Sequence, residues 1–121
     1  MSVLACGAIV ALLVMAGLAV DGAAQMAAQQ RAAGAANQVA RFAMDAAAPY
    51  LVDGEDGRAA AIAAAQSAAD GFSGLRFEFA LDESGRLQVR ASTTIDTVFL
   101  PLIGINQLNA TGQASAIVFR P

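Results

Sequence analysis

From Ser2 to Val20 the chain carries no charged side chain, and no other stretch limits its fold as severely. About 18 or more uncharged, mostly apolar residues in a row reach across a bilayer as one helix. The run ends abruptly at Asp21. Three readings of it compete. A cleaved signal peptide needs a positive n-region and a small-residue cleavage site. Gly17-Leu18-Ala19 would serve as the site, but no Arg or Lys precedes the run. A core helix of a soluble protein would be unusually long and uniform for that role. A spanning helix fits the residues best.

Within the run, Gly7 and Ala11 are four apart, as close helix–helix approach in lipid requires, although Gly is also simply frequent in membrane helices. Cys6 is the single cysteine, so no intramolecular disulfide staples the fold. Val3-Leu4-Ala5-Cys6 is a poor lipoprotein box, because the apolar stretch follows it. Basic residues stay on the cytoplasmic side of a span. Here Arg31 and Arg41 follow the run while Asp21 comes first, so charge leaves the orientation open.

The chain has 121 residues, enough for one small domain besides a membrane segment. Its hydrophobic fraction of 57% and mean hydropathy of +0.55 exceed those of ordinary soluble chains. Much of the remainder is Ala, which buries little area, so helix against sheet or helix against a partner is the expected way to hide apolar surface. Net charge is −3. The Arg residues are dispersed, which argues against a nucleic-acid surface.

From Asp21 to Ala48 the sequence is Ala-rich and free of Pro, so the helix is expected to continue as a stalk, with a bend plausible at Gly22. Met26, Gln30, Ala33, Val39, Phe42 and Ala46 form its expected apolar face, and Arg41 and Asp45 are spaced to pair. Pro49 is expected to stop it. Tyr50 to Gly57 reads as a loop whose acids, Asp53, Glu55 and Asp56, lack calcium-loop spacing. A second helix is expected at about 57–70, with Asp56 as N-cap and Gly71 as a left-handed C-terminal residue.

Alternation then takes over. Leu75, Phe77, Phe79 and Leu81 face one way and Arg76, Glu78, Ala80 and Asp82 the other, the mark of a half-buried strand. Asp82 to Arg86 is a Gly-containing turn. Leu87, Val89, Ala91, Thr93 and Ile95 mark the partner strand, with Glu78 and Arg90 placed to pair across the hairpin. A third strand follows the apolar segment Val98 to Ile105, and its small residues call for something packed closely over it. An apolar connection of that length is ordinarily buried under its own sheet; the other reading is a contact patch for a neighbouring subunit or the membrane surface.

The expected layout is therefore α+β. Residues 1–48 form an N-terminal transmembrane and stalk helix. Residues 49–121 form a small head, with the helix at about 57–70 and a three-stranded antiparallel sheet at about 75–81, 87–96 and 107–119. Nothing in it suggests catalysis. There is no His, the one Cys lies in the apolar run, and no Ser has a histidine to activate it. No phosphate-binding or dinucleotide fingerprint is present. The expectation is a structural protein, not an enzyme, with no cofactor, metal, nucleic acid or small-molecule substrate.

The string Gly17-Leu18-Ala19-Val20-Asp21-Gly22, the Ala- and Gln-rich run up to Asn37-Gln38-Val39-Ala40-Arg41, and the C-terminal Thr97 to Ile105 and Leu108 to Gly112 resemble the TadE/TadG-like family of actinobacterial type. Its members are minor pilins or pseudopilins of the Tad (Flp-type) pilus, within the type IV filament superfamily. The resemblance implies a pilin-like fold and a single-pass anchor in the cytoplasmic membrane, with the C-terminal part outside or in an extracellular pilus filament. It implies other pilin subunits, self or heterologous, the inner-membrane pilus assembly platform and membrane lipid as partners. The alternative is a membrane-anchored accessory or adhesive surface protein that never enters a filament. This sequence shows neither the basic leader nor the Glu near the mature start that type IV subunits commonly carry; either the sequence begins at a processed or mis-called start or this member is not cleaved by a prepilin peptidase, so the resemblance carries anchoring and leaves processing open.

Overall fold

One helix, α1, runs unbroken from Ser2 to Val52, about 75 Å at about 1.5 Å per residue. The computed structural model describes residues 2–118. A shorter helix, α2, spans Arg58–Asp70, and three strands follow: β1 Arg76–Leu81, β2 Arg86–Asp96 and β3 Gln107–Ile117. The strands form an antiparallel meander in the order β1-β2-β3. A single 3-10 turn, Leu100–Ile103, lies in the β2–β3 connection. The fold is α+β, with both helices and a three-stranded sheet as the sequence patterns predict. The expected end of the third strand at Phe119 lies outside the described residues.

Helix α1 passes Pro49, contrary to expectation, and ends one turn later. A proline inside a helix costs about 3 kcal/mol through a lost hydrogen bond and a steric clash. The last turn is held by packing instead: Ala47 is fully buried and Leu51 packs against the core. Termination comes at Gly54, whose φ of +74° suits glycine, and Glu55 N–H closes onto the Tyr50 carbonyl at 2.6 Å.

Two expected caps of α2 also differ. Gly57 occupies the N-cap position. Asp56, one residue earlier, accepts the Arg58 N–H at 2.9 Å and the Arg58 guanidinium at 2.6 Å. Gly71 is right-handed (φ −76°), and the left-handed glycine after the helix is Gly74 (φ +77°).

The stripe of α1 that faces the sheet is Ala28, Ala32, Ala35, Ala36, Val39, Ala40, Ala43 and Ala47. Of the expected apolar face only Val39 belongs to it; Met26 and Phe42 are exposed. The correction has a physical basis. Alanine lets the helix backbone approach the strands, which bulky side chains prevent. Gly112 of β3 marks the closest approach: a Cβ built there would meet the backbone of Ala32 and Ala33 within 2.6 Å. Leu87, Val89 and Ala91 of β2, Ala110 and Ala116 of β3, and Ala61 and Ala65 of α2 complete the buried layer.

Strand β3 travels along α1 in the same direction. Gln25 Nε2 donates to the Asn109 carbonyl at 3.1 Å near its start. Farther on Gly112 meets Ala33, and at the far end the Val118 carbonyl and Ala47 both crowd Gly57. Gln25 to Ala47 is about 33 Å of helix and Asn109 to Val118 about 30 Å of strand. The two lengths match.

The outer sheet face is polar. Glu78 stands opposite Arg90, as expected for a hairpin pair, but no ion pair closes between them. With the Gln113 amide turned so that its oxygen faces the guanidinium, Arg90 donates to it from Nη2 and Nε at 2.9 and 3.2 Å. The expected Arg41–Asp45 pair is likewise not formed; the ion pair among the described residues is Arg58–Asp56, at the surface.

Candidate membrane and assembly surface

Every residue from Ser2 to Val20 is exposed except Gly17. This segment of α1 extends beyond the sheet with its Val, Leu, Ile and Met side chains bare; Val3 and Leu4 are about four-fifths exposed and Leu12 and Leu13 nearly two-thirds. Burying a Val or Leu side chain is worth roughly 1.5–3 kcal/mol. Ten such side chains held in water therefore cost on the order of 10 kcal/mol. By length and composition the helix can cross a membrane. A Cβ built at Gly7 would meet nothing within 4 Å outside its own helical turn, so the Gly7–Ala11 surface is open to a partner. Cys6 is a free, exposed thiol on the same segment.

Where the bare segment meets the head, the structure brings together two features that are far apart in sequence. Asp21 is the one buried charged side chain among the described residues, 2% exposed. Its Oδ1 accepts the Val98 N–H at 2.9 Å, and its Oδ2 accepts the Phe99 and Leu100 N–H groups at 3.0 and 2.8 Å. These are the amide groups at the start of the 3-10 turn, where Phe99 offers no side-chain cap. A residue of α1 thus caps a turn nearly eighty positions away. Foremost the Val98 N–H, and with it those of Leu100 and Phe99, holds the Asp21 carboxyl below the usual aspartate range, against the desolvation imposed by burial.

The clamp draws the β2–β3 connection onto α1. Phe99 lies against Gly17, and a Cβ at that glycine would come within 2.7 Å of Phe99 Cβ and Cγ. Gly17 is therefore engaged within the chain rather than free for a partner. Of the connection only Leu100 is buried; Val98, Leu102 and Ile103 stand out from the surface. The expectation that this segment lies under its own sheet is overturned. It packs instead at the exit of the apolar helix.

Sequence reasoning recognised Asp21 only as the end of the apolar run. Its signal was the juxtaposition of one acid directly after the run and an uncharged apolar loop elsewhere, but only the fold joins them. The loop acids Asp53, Glu55 and Asp56 do not converge with a further ligand, and no metal-holding group of three His, Cys, Asp or Glu side chains occurs among the described residues. On the outer sheet face an open depression of about 600 Å³ is lined by Arg76, Glu78, Arg90, Ser92, Asn109 and Thr111, among others.

No family model, curated protein or solved structure matches the chain.

Proposed function

We propose that this chain is a pilin-like structural subunit or assembly factor of a Tad or type IV-like pilus, held in the cytoplasmic membrane or polymerised through its N-terminal helix. The observation that carries this reading is the bare apolar rod Ser2–Val20 continuous with a head-bearing stalk. Lipid covers such a rod before assembly and sister rods cover it afterwards. In either setting small residues such as Gly7 and Ala11 set how near a neighbour approaches. The head builds its core against the stalk and leaves its polar sheet face outward, as a subunit displayed on a surface requires. The resemblance to TadE/TadG-like proteins supplies the partners of this reading: other pilin subunits, the inner-membrane assembly platform and lipid.

Mass spectrometry of sheared surface filaments, run beside N-terminal sequencing of the mature chain, tests the proposal. The expected result is the chain in the filament fraction with its apolar segment retained. Gly7→Gln and Ala11→Gln variants should keep membrane insertion and lose incorporation. A mature, freely soluble monomer beginning beyond Ala19 would overturn the reading. Retention in the membrane with absence from filaments would favour an anchored accessory or adhesive protein instead.

A further inference from the structure

We propose that the connection Val98–Ile105 is a second membrane contact, seated in the lipid headgroup–acyl boundary beside the point where α1 leaves the bilayer; this rests on the anchored reading above.

Three features support a lipid occupant. The first is position. Phe99 lies on Gly17 and Asp21 holds Val98, Phe99 and Leu100, so the loop is level with the last helical turn of the apolar run. The second is composition. No charged residue occurs from Thr97 to Phe119, while Leu102, Val98 and Ile103 are 85%, 69% and 68% exposed. These side chains continue the bare surface of α1 sideways, at the depth where interfacial segments bury apolar groups about 5–10 Å into the boundary.

The third feature is the backbone. A segment entering an environment poor in water must satisfy its N–H groups internally. Thr97 N–H donates to Asn106, Leu102 N–H to Phe99, Gly104 N–H to Pro101 and Ile105 N–H to Leu100, all onto carbonyls at 3.1–3.2 Å. The N–H groups of residues 98 to 100 go to Asp21, Pro101 has none to satisfy, and the Thr97 hydroxyl donates to the Ile105 carbonyl at 2.7 Å. The Asp21 carboxylate takes up three of the loop's amides from across the fold. Asp21 both orders the loop and removes donors that lipid would not accept. With two points of contact, helix and loop, the head is fixed in tilt and rotation relative to the bilayer.

The chain contains no Trp, so single Trp substitutions report position without background. Full-length Leu102→Trp, Ile103→Trp, Leu12→Trp and Glu83→Trp variants are reconstituted into phosphatidylcholine vesicles, without brominated lipid and with acyl chains brominated either near the carbonyl, to report on 102 and 103, or near the chain end, to report on 12. Leu102 and Ile103 are both exposed, and two positions guard against one variant failing to fold. Glu83 lies in the turn at the opposite end of β2, about 33 Å of strand away. The expected result is blue-shifted emission at 102 and 103, with quenching by brominated lipid at least about twice that at 83. Quenching at 12 with none at 102 and 103 would overturn this inference and leave the anchored reading intact. No quenching at 12 either would overturn both. Blue-shifted but unquenched emission at 102 and 103 would mean that protein, a second copy of the chain, covers the loop instead of lipid.

Discussion

Asp21 illustrates how one side chain can join two elements that local sequence treats as unrelated. Its three amide bonds favour the ionised carboxylate. A carboxyl whose folded-state pKa is depressed stabilises the fold fully above its unfolded value, and that contribution is lost as pH falls through the lowered value. Acidification into that range is therefore expected to free the Val98–Leu100 amides before the sheet melts. Hydrogen exchange followed by mass spectrometry checks this: protection in the 97–105 peptide should fall while peptides from β2 and β3 keep theirs. Asp21→Ala should reproduce the acid result at neutral pH. Asp82 behaves similarly on a smaller stage. The Ser84 hydroxyl first, then the Arg86 and Ser84 amides, keep its carboxyl below the ordinary range and set the β1–β2 turn, where Gly85 takes φ +85°.

At the scale of elements, contact between α1 and the sheet depends on an absence of side chain. Gly112→Ala places a methyl group into the Ala32–Ala33 backbone. The helix must shift, and the cost should reach the upper part of the about 1–3 kcal/mol usual for overpacking, lowering Tm by more than about 10 °C in a small domain. Leu87→Ala, in the same layer but creating a cavity, should cost about 2–5 kcal/mol. Met26→Ala, on the exposed side of α1, should change stability by no more than about 0.5 kcal/mol. Thermal melts of the detergent-solubilised full chain compare the three. If Met26→Ala were as damaging as Leu87→Ala, the assignment of the inward face would be wrong. That face was the part of the fold least legible in sequence. Period-two alternation named β1 and β2 because Phe77, Val89 and their neighbours contrast sharply with Glu78 and Arg90. In an alanine-rich helix the inward stripe has no such contrast, and the eye is drawn to Met26 and Phe42. Pro49 and Gly71 misled for a related reason: each has a strong local preference, and packing of Ala47 and Leu51, or an ordinary right-handed turn, prevailed over it.

For the molecule as a whole, the bare segment touches the head through Gly17 and Phe99 and otherwise contributes nothing to the buried core. Deleting residues 2–20 is expected to move the protein from an alkaline-carbonate-resistant membrane pellet to the supernatant while the far-ultraviolet signature of the sheet persists. Fractionation and circular dichroism of the same samples measure both halves of that statement. The apolar run itself was plain from sequence, since length and lack of charge alone define it. The clamp on Asp21 was not, because it depends on the meander delivering the β2–β3 connection to the start of the stalk.

The shared direction of β3 and the stalk has a practical corollary. Val118 lies beside Ala47, about 40 Å up the rod from Asp21. A fluorophore placed at the exposed Ile117, at the end of β3, would therefore sit at the far end of the head from the Asp21 clamp and report on the head without touching the bare apolar segment.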